Sequence, residues 1–134
     1  MARREYSRQE LERKLSPLSQ DQDQLQSVLD QLQAEGLLSD HRYAESVARV
    51  RGARFGSARV RYELQQKGVA DDVLAATLST LEATESARLR QVWEKKFGAA
   101  PTSAEEAARQ QRFLMQRGFS SAAISRLLRE LRGR

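Results

Sequence analysis

The chain matches itself at an interval of 49 to 50 residues, and this repeat limits what it can fold into. Leu15, Leu64 and Leu114 anchor three copies. Ten residues beyond the anchors stand Leu25, Leu74 and Ile124, and at thirteen Val28, Thr77 and Leu127. At fourteen come Leu29, Leu78 and Leu128, and at seventeen Leu32, Leu81 and Leu131. These offsets trace the i, i+3, i+4, i+7 stripe of an amphipathic helix, repeated three times without a gap.

The flanks repeat as well. Glu63-Leu64-Gln65-Gln66-Lys67-Gly68-Val69 parallels Phe113-Leu114-Met115-Gln116-Arg117-Gly118-Phe119. Each reads as a helix that ends in a basic turn and a glycine C-cap. In the first copy Ser19 takes the glycine place and Pro17 ends the helix. Ser7 with Glu10 has capping-box spacing, Thr102 with Glu105 marks a later start, and Ser57 and Asp40 are candidate caps for two more helices. Tyr43, Ala44, Val47, Ala48 and Val50 form one further apolar face, and Leu89, Val92, Trp93 and Phe97 another. The expected helices are 7–15, 22–35, 40–54, 57–67, 71–82, 85–97, 103–117 and 121–132, and no segment alternates as a strand does.

The expected fold is therefore all-α, an elongated array of tandem three-helix repeats of about 50 residues stacked on their neighbours. The units are 1–38, 39–83 and 84–134. Only six residues precede the first capped helix, so the first unit is expected to lack most of its first helix. Tyr6, Phe55, Phe97 and Trp93 are expected to pack in the core rather than stack on nucleobases.

Composition removes several function classes. With no Cys there is no disulfide, thiolate nucleophile or Cys-ligated zinc, and with one His, His41, no multi-histidine metal site forms within the chain. The seven Gly stand singly, so there is no phosphate-binding glycine loop. Asp71-Asp72 and Glu105-Glu106 fall in first helical turns, where acids suit the helix dipole better than they suggest a metal. No membrane span or secretory leader is visible, and the cytosol is the expected location. A cofactor-free binding protein, monomeric and not an enzyme, is expected.

Charge points to the partner. The 134 residues carry a net charge of +5, arranged in blocks. Residues 16–40 hold five acids and no base, 41–68 seven bases and two acids, and 69–87 four acids and no base. Five Arg, at 49, 51, 54, 59 and 61, crowd thirteen residues around Gly52 and Gly56. Arg88, Arg90, Lys95 and Lys96 form a second cluster, and Arg126, Arg129, Arg132 and Arg134 a third. Exposed Arg binds phosphate or carboxylate in bidentate fashion. A duplex-reading helix-turn-helix is disfavoured, because residues 70–84 and 20–35 contain no Lys or Arg to enter a groove. Nucleic acid, single- or double-stranded, would be held by its phosphates in a salt-dependent way.

Five ordered elements carry a resemblance. They are Glu5-Tyr6-Ser7-Arg8-Gln9-Glu10-Leu11 with Lys14-Leu15, Gly36-Leu37-Leu38-Ser39-Asp40 with Arg42-Tyr43-Ala44, and Arg54-Phe55-Gly56 running through Arg59-Val60-Arg61 to Val69. Lys95-Lys96-Phe97-Gly98 and Arg112-Phe113-Leu114 to Arg117-Gly118-Phe119 complete the set. In this order the chain resembles the bacterial RecX regulatory family. The resemblance implies tandem three-helix repeats and a modulator of the RecA recombinase. It implies binding to the RecA–single-stranded-DNA filament, which blocks extension and lowers ATPase, strand-exchange and co-protease activity. The residues expected to make contact are Arg49, Arg51, Arg54, Arg59, Arg61, Lys67, Arg88, Arg90, Lys95 and Lys96. The alternative reading is a general nucleic-acid-binding architectural protein.

Overall fold

Helix starts are written locally, and the structure follows most of them. The computed structural model describes residues 4–133. Ser7 and Glu10 close a reciprocal capping box over α1 (Arg8–Leu15), which passes into a 3-10 turn at Ser16–Leu18. Then come α2 (Gln22–Ala34), α3 (Asp40–Gly52), α4 (Ser57–Gln66), α5 (Asp71–Lys96), α6 (Ala104–Gln116) and α7 (Ser121–Arg132). The described residues contain no strand.

Four expectations are corrected. The two helices expected over 71–82 and 85–97 are one α-helix of 26 residues, about 39 Å long. The junction Glu82-Ala83-Thr84-Glu85-Ser86-Ala87 offers neither Gly nor Pro, so nothing there ends a helix. The third start is capped by Ser103, which accepts from the Glu106 N–H, while Glu106 reaches back to the Thr102 N–H at 2.8 Å. The caps proposed at Asp40 and Ser57 are not made either. Ser39 caps α3 by accepting from the Arg42 N–H, and the N-cap of α4 is Gly56.

The repeated stripe forms three separate cores. Leu25, Leu29 and Leu38 make the first, with Tyr6, Leu11, Leu15 and Leu32 against them. Tyr43, Ala44, Val60, Leu64, Leu74, Leu78 and Leu81 are in the second, and Trp93, Leu114, Phe119, Ile124 and Leu128 in the third. One stripe position breaks the pattern. Val28 is 42% exposed where Thr77 and Leu127 are buried, because α3 and α5 pack on the latter faces whereas α2 packs with α1. The accessible surface of 8951 Å² exceeds the roughly 7,100 Å² of a ball-like chain of 15.2 kDa, as three cores in a row require.

Neighbouring units meet through contacts that repeat with the sequence. Ser7 Oγ donates to the Lys67 carbonyl at 2.8 Å, and forty-nine residues on the Gly56 N–H donates to the Arg117 carbonyl at 2.7 Å. The first N–H of α1, at Arg8, donates to Asp40 Oδ1 at 2.9 Å, and that of α4, at Ser57, to Glu85 Oε1 at 3.1 Å. Those N–H groups have no partner inside their own helix, and a carboxylate there also meets the positive dipole end. Asp40 and Glu85 thus cap the helix of the preceding unit. At the second joint the backbones touch. A Cβ on Gly56 would lie 2.3 Å from the Gly118 carbonyl oxygen, and Gly118 itself needs φ of +92°.

Gly56→Ala should therefore cost about 2–4 kcal/mol in urea unfolding, and an unchanged midpoint would count against the joint. Tyr43 gives a pH test. Burial, reinforced by the Glu10 charge, pushes its phenol up to about 12 from 10.0. The folded chain holds this proton after the unfolded chain has lost it, so its contribution is intact below pH 10 and is lost as pH rises towards 12. Tyr43→Phe should remove that part of the alkaline loss, read as urea midpoint against pH for both proteins.

Candidate functional site: a basic joint between repeats

The Arg-rich segment becomes the end of α3, a turn and the start of α4. Arg49 and Arg51 lie in the last turn of α3, where cations meet the negative helix end. Phe55 sits in the turn, half-buried, and guanidinium groups surround it. The Arg51, Arg59 and Arg117 carbons lie 4.4, 4.9 and 5.1 Å from its ring centroid. Cations are held over aromatic faces by the ring quadrupole. The faces of Phe55 are thus taken by arginine rather than left open to a base. Glu63 ties two of these cations down, accepting from Arg51 at 2.7 Å and lying 3.7 Å from Arg59. The hydrogen bond from Arg51 to Glu63 raises the Arg51 pKa further.

Arg117 carries the pattern across the joint. It lies 4.9 Å from the Phe113 ring, over which Lys96 also sits at 5.1 Å, and Phe113 meets Phe97 edge-on at 5.5 Å. A ladder of rings and cations therefore links the second unit to the third. The first joint has a smaller version, with Arg4 and Lys14 over Tyr6 and Lys67 3.3 Å from Glu10. Sequence reasoning did not place Arg117 among the contact residues. The signal was present, since Arg117 is the repeat counterpart of Lys67, which it did select.

The ten expected contact residues divide by environment. Arg49, Arg54, Arg61 and Lys95 are exposed, and their side chains have no ion-pair or hydrogen-bond partner among the described residues. Arg51, Arg59 and Lys67 are held by acids at the joints, Arg90 pairs with Glu130 at 3.0 Å, and Lys96 rests on Phe113. Arg88 is built into the fold. It donates to the carbonyls of Gly52, Phe55 and Leu81 at 2.7, 2.8 and 2.9 Å, joining the open end of α3 and the turn after it to the middle of α5. Burial pulls its pKa below the usual arginine value. The third basic cluster keeps Arg126, Arg129 and Arg132 on α7, while Arg134 lies outside the described residues.

Trp93 is a core residue, and its Nε1 donates to the buried Gln110 at 2.9 Å. Asp71, Asp72, Glu105 and Glu106 all lie in first helical turns, and the Thr102 N–H holds the Glu106 carboxyl below the usual range. No helix among the described residues is long and apolar enough to cross a membrane.

Arg88→Ala should lower stability by about 2–3 kcal/mol, because the Gly52 and Phe55 carbonyls lose their donor. Arg54→Ala should change it by less than about 0.5 kcal/mol. Thermal or urea unfolding of the two variants separates a structural arginine from a surface one.

Comparison with known proteins agrees with this architecture. Residues 39–78 match the family model described as RecX, second three-helix domain, and residues 83–128 match RecX, third three-helix domain. The chain is 50% identical over 129 residues to Regulatory protein RecX of Leptothrix cholodnii, covering 96% of this chain and 82% of that one. It is 44% identical over 130 residues to Regulatory protein RecX of Pseudomonas entomophila, covering 96% and 84%. The crystal structure of RecX from Lactobacillus salivarius superposes with a TM-score of 0.76 at 22% identity, over 95% of this chain and 86% of that one, and shows the shared fold. With three-helix units, family models and relatives in accord, the chain belongs to the RecX family of regulatory proteins.

Proposed function

We propose that this chain is an inhibitory regulator of a RecA recombinase, acting in the cytoplasm as a monomer without cofactor or catalysis. It binds the RecA–single-stranded-DNA filament, blocks its extension and so reduces ATP hydrolysis, strand exchange and co-protease activity. The observation that carries the reading is membership of a regulatory family over almost the whole chain.

The geometry supports it. Three units in a row, two of them sharing the helix α5, give a long body suited to spanning several protomers of a filament. The ridge at α3, α4 and the second half of α5 is basic, and α2 and the first half of α5 carry acids and no base. Arg49, Arg54, Arg61 and Lys95 are the side chains we assign to direct contact with phosphates or recombinase carboxylates. Arg51, Arg59, Lys67, Arg88, Arg90 and Lys96 add to the field from anchored positions. A body that binds one filament state better than another shifts the filament towards that state and opposes turnover.

The test is single-stranded-DNA-dependent ATP hydrolysis by a RecA recombinase, with this protein titrated up to equal stoichiometry and DNA then added in excess. Inhibition below stoichiometry that survives extra DNA is the expected result. Inhibition that disappears with extra DNA would favour a general nucleic-acid-binding protein. The double variant Arg54→Glu/Arg61→Glu should need at least about tenfold more protein for half inhibition, a loss of at least about 1.4 kcal/mol in binding, with its thermal midpoint unchanged. Undiminished inhibition would overturn this assignment of the contact residues.

A further inference from the structure

A groove of about 530 Å³ runs between α3 and α5 on the second unit. Ala48 and Gly52 of α3 and Ala76 and Leu81 of α5 line it, so both helices offer small or aliphatic side chains. The glycine keeps the wall low there, since a Cβ on Gly52 would lie in tight contact, 3.0 Å from Leu81 Cδ2. Three threonines add to the lining, and each gives its hydroxyl proton to its own helix. Thr77 donates to the Val73 carbonyl at 2.9 Å, Thr80 to Ala76 at 3.3 Å and Thr84 to Leu81 at 3.1 Å. Between the helices the lining is therefore mostly apolar, its open hydrogen-bonding groups being Gln91 and the side chains of the rim, and no Phe, Tyr or Trp lines it to stack a base.

The rim is charged and uneven. His41 and Glu45 stand towards the start of α3, and Arg49 and Arg88 towards its end. The donors of Arg88 are engaged by backbone carbonyls, whereas Arg49 is exposed and has no ion-pair partner among the described residues. Coulomb attraction favours a carboxylate beside Arg49, at the edge of a lining that desolvates only apolar groups at no loss.

We propose that this groove receives an aliphatic side chain of a partner protein, next to a carboxylate that pairs with Arg49. The inference rests on the reading above, in which that partner is the recombinase filament. It adds an apolar anchor to a contact otherwise made by charge. Such anchors in desolvated pockets carry a large share of binding energy at interfaces, while exposed ion pairs carry little.

The absence of native cysteine allows a direct measurement. Thr80→Cys labelled with an environment-sensitive fluorophore reports from inside the groove, and Ser79→Cys, exposed and outside its lining, serves as control. The probe is a filament of RecA recombinase on single-stranded DNA, with binding followed in parallel by co-sedimentation. The expected result is a blue-shifted, brighter emission from the Thr80 label and little change from the control. Ala76→Trp and Thr80→Trp fill the groove from exposed positions, so thermal midpoints should hold while half-maximal binding needs at least fivefold more protein.

If the filament binds the labelled protein and the Thr80 emission does not move, the groove assignment falls and the regulatory reading stands. Binding of both tryptophan variants within twofold of the unmodified chain overturns it equally. A Thr80 response on concentrating the protein alone would make a second copy the occupant and overturn the proposed partner. Failure of the unmodified chain to bind the filament would overturn both readings.

Discussion

The open N-terminus of a helix is the constraint on which this structure turns. The second helix of the first unit and that of the second unit each begin with an N–H group that their own chain segment does not satisfy. The next unit answers them, with Asp40 for α1 and Glu85 for α4. The turn of that next unit then supplies a carbonyl, from Lys67 or Arg117, to the residue just before the helix. Units of about 50 residues bury too little apolar surface to stand alone. Their stacking is directed by polar groups that fit in one register only. The ladder of rings and cations follows from this, because Arg117 reaches Phe55 only when the turn carrying Gly118 lies against Gly56.

What the sequence made legible was local or periodic. The stripe from Leu25 to Leu131 names core residues because burial on a helix recurs every three or four positions. The turns at Gly68 and Gly118 were readable because both adopt positive φ at the end of a basic helix turn. The Ser7–Glu10 box was readable because both partners lie within one turn. The start at Ser103 was misplaced by one residue, since Thr102 and Ser103 are both good caps and Glu105 and Glu106 both good partners. Continuity through Ala83 and Thr84 was missed because a change of buried face resembles a helix boundary when only the pattern is seen.

The site was harder to read than the fold. A count of arginines locates a basic segment but does not tell a solvated guanidinium from one that closes backbone carbonyls. Arg88 and Arg54 look equivalent in sequence, yet one holds Gly52, Phe55 and Leu81 together and the other is exposed. The same limit applies to Asp40 and Glu85, whose partners lie twenty-eight or more residues away. Pairing across units depends on how the units stack, and local propensity does not encode it.

Because α5 belongs to two units at once, the array is unequal along its length. The second and third cores are fixed to the two halves of one helix, so separating them means breaking that helix as well as the joint at Gly56 and Gly118. The first core is tethered through the short connection Glu35–Ser39 and polar contacts such as Arg42 with Glu5 and Lys67 with Glu10. In a one-dimensional chain of coupled units, that makes one coupling term large and the other small and screened by salt. The molecule should accordingly melt as a dimer of domains plus a satellite, with amide protons of the first unit exchanging at lower free energy than those of α5.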